Sequence, residues 1–242
     1  MMTTMPMKSM VLVAAALLAG CGGGGSGGDD QSEALNTALL QGRWATAAGA
    51  APAYTAVVLP GASNTASAWL LAQDASRLVK LTVRGDASAQ GKAYALGQAS
   101  SQAVTGQVTA SLAATPKTFS VTGAAAGTLA LSQSDALSTP AVQADAAGGW
   151  SATAGGQAQA LQWTVGAAGA VAGVSTTGCS YTGQLTAMAG ASVYGAQFDE
   201  SCPDGARITY SGIATLNATK SGLTVVVTSA DESRGAAVFF SK

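Results

Sequence analysis

From Trp44 to the end of the chain, apolar and polar residues alternate in short runs that end at Gly, Asn, Asp or Ser. A period of two is the period of a strand, whose successive side chains point to opposite faces. Leu161, Trp163 and Val165 share one such face, and Ser192, Tyr194, Ala196 and Phe198 share another. The pattern predicts strands over 54–59, 67–72, 78–83, 91–96, 103–111, 118–123 and 127–132. A second set follows over 160–165, 169–174, 179–186, 191–198, 207–216, 222–229 and 235–241. They recur about every 10–14 residues with no helical stretch between them. Parallel strands need crossover connections that the chain does not supply, so the expectation is an all-β, antiparallel fold of small barrels or sandwiches.

Composition narrows the chemistry. Hydrophobic residues make up 48% of the 242, yet aromatics are only 5%, so Ala and Gly carry much of the apolar count. A core with so few large side chains must concentrate them, because a buried aromatic removes far more area from water than Ala does. Trp44, Trp69, Trp150 and Trp163 are therefore expected mainly in cores, with stacking on a ligand as the alternative. Charged residues are 10% and the net charge is −1, which leaves no basic field for nucleic acid. The absence of histidine excludes His-dependent triads and His-ligated metal sites.

The N-terminal segment reads as an address. Lys8 supplies a positive charge, Met10 to Leu18 form an apolar run too short to span a bilayer, and Leu18-Ala19-Gly20-Cys21 follows. That tetrapeptide resembles the lipobox of bacterial lipoprotein signal peptides. The resemblance implies cleavage after Gly20, a signal peptide over 1–20, and a Cys21 carrying a diacylglycerol thioether and an N-linked acyl chain such as palmitate. Three acyl chains exceed the two hydrophobic signals that stable anchoring needs. In the sorting rule of enteric lipoproteins, Asp after the lipidated Cys retains the protein at the inner membrane. Gly22 occupies that position here, so the implied address is the outer membrane, on its periplasmic or outer side. Residues 21–31 form a Gly/Ser-rich tether with a reach of about 18 Å over ten residues. This tether looks like the polyglycine leaders of Neisserial surface lipoproteins such as the factor H and transferrin binders. Residues 32–42 follow as a short expected helix, with Ser32 as cap, Ala34, Leu35, Ala38 and Leu39 as its stripe, and Gly42 as its stop.

An internal echo divides the remainder. Gly42 to Ala47 resembles Gly149 to Ala154, Lys80 to Val83 resembles Gln162 to Val165, Thr105 to Ala110 resembles Thr182 to Ala187, and Gly127 to Leu131 resembles Gly222 to Val226. The order is the same in both halves, and 54–72 looks like a hairpin added to the first. Two similar β-modules, 43–132 and 149–242, are expected across a junction at 133–148 that contains Pro140. Two half-sheets closing one larger barrel or sandwich are the alternative.

With Cys21 assigned to lipid, Cys179 and Cys202 form an even pair in an exported chain, which predicts a disulfide. Asp199, Glu200 and Asp204 gather around Cys202 and form a candidate oxygen-ligand set for calcium; solvated turn carboxylates are the alternative. Adjacent strand residues face opposite ways, so Asp199 and Glu200 cannot by themselves make a glycosidase carboxylate pair. Asp231, Glu232 and Arg234 read as a plain hairpin turn. No cofactor motif is present. The mature region is similar to β-rich envelope lipoproteins of Gram-negative bacteria through its lipobox, Gly148-Gly149-Trp150, and Gly178-Cys179 followed by Cys202, and this likeness implies no activity. The expected function is a non-enzymatic binding module held at the outer membrane, taking a protein or small ligand through loops or a barrel mouth. A structural or assembly lipoprotein is the second expectation, and an enzyme or enzyme inhibitor the third.

Overall fold

The computed structural model describes residues 34–124, 127–135, 139–154 and 159–242. The lipobox from Leu18 to Cys21, the tether and Ser32 lie outside them. Among the described residues there is no α-helix, and none is long and apolar enough to cross a membrane.

Alternation turns into two closed antiparallel barrels of eight strands each. The first comprises β1 (Gly42–Thr46), β2 (Tyr54–Pro60), β3 (Thr65–Ala72), β4 (Arg77–Arg84), β5 (Ser88–Ala95), β6 (Ser101–Ser111), β7 (Thr118–Thr122) and β8 (Thr128–Ser134). The second comprises β9 (Gly148–Ala154), β10 (Gln159–Val165), β11 (Ala170–Ser175), β12 (Ser180–Ala187), β13 (Tyr194–Ser201), β14 (Arg207–Leu216), β15 (Gly222–Ser229) and β16 (Gly235–Ser241). Each strand pairs with the next, and β1 with β8 and β9 with β16 close the rings, leaving no free edge.

Each barrel opens with the same device. A single 3-10 turn, Thr37–Leu40 or Gln143–Ala146, precedes a glycine with positive φ, Gly42 or Gly148, and then a buried tryptophan. The Trp44 indole Nε1 donates to the Leu40 carbonyl and the Trp150 Nε1 to the Ala146 carbonyl, both at 2.8 Å. The turn thus folds over a barrel end, and the indole supplies a donor for a carbonyl that a short helix leaves open. The helix expected over 32–42 is this one turn, capped by Asn36. Asn64 reaches across from the β2–β3 turn, accepting from Thr37 and donating to the Leu35 carbonyl, which fixes the chain over the barrel before four α-helical residues accumulate.

Eight strands leave an interior just wide enough for side chains, and both interiors are filled. In the first, Trp44 meets Phe119 edge-on at 4.7 Å among Leu70, Val79, Leu81 and Leu131. In the second, Trp163 contacts Tyr181, Phe198 and Phe240. Closing so tight a ring needs strands to bend where no side chain fits. At Gly183 in β12, a Cβ would sit 2.2 Å from the Gln197 carbonyl oxygen and 2.4 Å from the Phe198 Cβ.

The two modules have equal strand numbers, so 54–72 is not an added hairpin: β2 and β3 occupy the places of β10 and β11. The opening echo is in step, while Lys80 to Val83 lies in the fourth strand of its barrel and Gln162 to Val165 in the second. Thr105-Gly106-Gln107 and Thr182-Gly183-Gln184 likewise lie out of step. They match because each places a bend glycine against a neighbouring strand.

Candidate functional site

Several strands are apolar on both faces, and these build a seam between the barrels. Val57-Val58-Leu59, Trp69-Leu70-Leu71 and Leu78-Val79 in the first barrel, and Val225-Val226-Val227 in the second, break the alternation. A strand buried on both sides reads as a continuous apolar run. The outward members, Val57, Leu59, Trp69, Leu78 and Tyr94, pack against Ala191, Val193, Ile213 and Val226 of the second barrel.

Register sets what each row presents. Across the outside of the first barrel, Arg43, Val57, Trp69, Lys80 and Lys92 stand side by side on β1 to β5. Opposite them, Ile213 pairs Val226, and Thr215, Thr224 and Phe239 form the next row on β14 to β16. At one end of the seam the rows diverge and leave a cavity of about 200 Å3, walled by Val57, Trp69, Leu71, Ile213, Val226 and Phe239, with Arg43 at its border. Phe239 stays 49% exposed, an apolar lip on the opening. Arg43 also lines two adjoining depressions of about 350 and 400 Å3, so one residue is shared by all three. Among the described residues its side chain forms no ion pair or hydrogen bond, and Asp135, on the same two depressions, is not within pairing distance.

The other end of the seam is closed by charge. Glu232, at the tip of the β15–β16 hairpin, reaches Lys80 Nζ at 3.1 Å and Lys92 Nζ at 3.5 Å on the first barrel, and Lys92 also donates to the Glu232 carbonyl. Lys80 in turn lies 5.2 Å from the centre of the Trp69 ring. The hairpin expected to be a plain turn is thus an inter-barrel clasp. Asp231 beside it accepts from Ser229 and Ser233, which holds its carboxyl down at about 2, and the Lys80 hydrogen bond lowers Glu232. Tyr94 fills the space beneath, against Gly235, where a Cβ would come within 2.7 Å of the ring. Its hydroxyl is buried without a hydrogen-bond partner among the described residues, and burial, then Glu232 and Asp231, push it up to about 12.

A carboxylate whose folded pKa is depressed stabilises the fold above its ordinary value and loses that contribution as pH falls through the folded one. The clasp should therefore hold at neutral pH and weaken as acid protonates Glu232, while Asp231, bound only to serines of its own hairpin, stays charged down to about pH 2. Glu232→Gln is expected to be less stable than the parent above pH 5, by up to about 1 kcal/mol for a half-exposed pair. The two should converge in acid, once Glu232 is protonated. Urea midpoints measured against pH read both; parallel curves would show that Glu232 does not carry the clasp.

The sequence-derived site residues fall elsewhere. Cys179 and Cys202 are joined, one rung beyond the Ser180–Ser201 pair of β12 and β13. Glu200 lies beside them: its carboxylate oxygen and both sulfurs lie within 4.8 Å of one another, and it accepts from Tyr181 Oη at 2.7 Å. Burial first, then Glu200, raises Tyr181, and the same causes push Tyr210 up to about 12. With its sulfurs bonded to each other this trio offers a cation one carboxylate, already hydrogen-bonded. Asp199 and Asp204 do not join it. Asp199 is exposed on the other face of β13 and accepts from Thr209, and Asp204 caps the Ala206 N–H within its own turn. The candidate calcium set is not brought together.

Trp44, Trp150 and Trp163 lie in barrel cores, and Trp69 lines the seam cavity. Arg43 and Phe239 were not singled out from sequence. The one available signal was the break in alternation at Val57 to Leu59 and Val225 to Val227, which marks the seam but not its gap.

No protein-family model, curated protein or solved structure matches the chain.

Proposed function

We propose that this chain is a non-enzymatic binding module, anchored to the outer membrane through Cys21, that takes a small ligand in the seam between its barrels. The observation that carries the reading is the apolar cavity of about 200 Å3, somewhat larger than the ~150 Å3 apolar cavity that accommodates benzene. Binding rather than chemistry is favoured because Asp199, Glu200 and Asp204 are each engaged in a local hydrogen bond. The lipobox and glycine tether support the anchor, and Gly22 supports the outer membrane.

Trp69 makes the reading testable, since the other three tryptophans are sealed in barrel cores. In the full chain carrying Cys21→Ser, titration with toluene is expected to change Trp69 fluorescence saturably. Thr224→Phe, which fills the cavity from its wall, should abolish the change while leaving thermal unfolding in place. A response that Thr224→Phe leaves intact would put binding elsewhere. The anchor is read separately: radiolabelled palmitate should enter the parent chain and not Cys21→Ala.

A further inference from the structure

Resting on the seam cavity as a ligand site, we infer that its ligand is a small anionic amphiphile: an apolar body the size of a single ring or short alkyl chain, carrying one carboxylate-like head. Three observations fix the class. The cavity wall is apolar apart from Thr55, Gln73, Thr215, Thr224 and Arg43, so the body buried there must be apolar. Its volume of about 200 Å3 admits little more than the ~150 Å3 needed by benzene, which excludes a sterol or a two-chain lipid held entirely within it. The border carries one cation, Arg43, with no partner among the described residues, whereas Lys80 and Lys92 further along the same row are taken by Glu232.

Arg43 is suited to a head group rather than to a point charge. Guanidinium presents parallel N–H donors that match both oxygens of a carboxylate. It projects from the outer face of β1, because its neighbour Trp44 points into the barrel, and Val57 and Trp69 lie beside it in register. A ligand with its body against Trp69 and Phe239 thus leaves its head at Arg43, facing the two wider depressions where water completes its solvation. A neutral amphiphile gains only the apolar contacts, and a cationic one meets Arg43 unfavourably.

The test compares octanoate, 1-octanol and octylammonium on the full chain carrying Cys21→Ser, without detergent, by calorimetry and Trp69 fluorescence. Octanoate is expected to bind at least tenfold more tightly than octanol, as for a hydrogen bond to a charged group, and octylammonium more weakly still. Arg43→Gln should bring octanoate down to the octanol level without changing octanol, and Arg43→Lys should restore part of the difference. Equal affinity for octanoate and octanol in the parent would overturn the anionic head and leave the cavity reading standing. Binding of none of the three, with Trp69 unperturbed, would remove the cavity reading itself. Octanoate selectivity that survives Arg43→Gln would place the head group at another residue and overturn the assignment.

Discussion

Trp44→Ala is expected to destabilise the first barrel by about 3–5 kcal/mol, the range for truncating a fully buried Trp or Phe. The side chain is 0% exposed, packs edge-on against Phe119, and its Nε1 closes the Leu40 carbonyl over the barrel end. Truncation leaves both a void and an unanswered carbonyl. Phenylalanine separates the two effects, because it fills most of the volume and lacks the N–H. Trp163 supplies the control: it is equally large and 2% exposed, but its Nε1 is buried with no hydrogen-bond partner among the described residues. Trp44→Phe discards a made bond, while Trp163→Phe discards a donor that was desolvated for nothing. The first should cost at least about 1 kcal/mol more than the second. Chemical denaturation of the three variants reads this directly, and a Trp44→Ala loss below about 1 kcal/mol would refute the role of the plug.

That plug also shows where sequence reasoning reached and where it stopped. The fourteen alternating segments all became strands, because a period of two survives any register and any partner. The two remaining strands, β1 and β9, were visible only as a repeated Gly-Trp opening, since five to seven residues beside a turn offer too little alternation. The short helix was misjudged for a physical reason: Ala34, Ala38 and Leu39, read as its apolar stripe, are exposed, and the single turn instead buries Thr37 and Leu40, with Asn36 capping its start and Asn64 holding Thr37. Matching halves by motif alone slipped the register, because a bend glycine flanked by Thr and Gln serves any strand of a small barrel. The seam was the least legible part. Arg43 comes from the first strand and Phe239 from the last, and their meeting depends on how one closed barrel docks on another. Two-sided apolar runs announce that some docking occurs and say nothing of the gap it leaves.

Removing the disulfide should have the second large effect, and it should fall on one barrel. Cys179 and Cys202 enclose a separation of 23 residues, and on the chain-entropy account releasing such a loop costs about 3 kcal/mol. The bridge sits where the β12–β13 ladder ends, opposite the 188–193 connection, so without it Ser180–Ser201 is the last link between the two strands at that end. Beneath it, Tyr181 and Glu200 are joined in a half-buried hydrogen bond that frayed strands would expose to water. The Cys179→Ser/Cys202→Ser chain should therefore lose about 3 kcal/mol from the transition that Trp163 reports, deep in the second barrel, with the Trp44 environment in the first changing less. Hydrogen exchange gives the spatial version: amides of β12 and β13 should lose protection first. The seam joins the two outcomes. Val226 and Ile213 hold their places only while β14 and β15 are folded, so reduction should weaken the octanoate response of Trp69 under mild denaturant before it alters the first barrel. If both barrels instead lose stability equally and together, the clasp of Lys80, Lys92 and Glu232 with the apolar seam couples them into one cooperative unit. If neither moves, the loop-closure account fails for this chain.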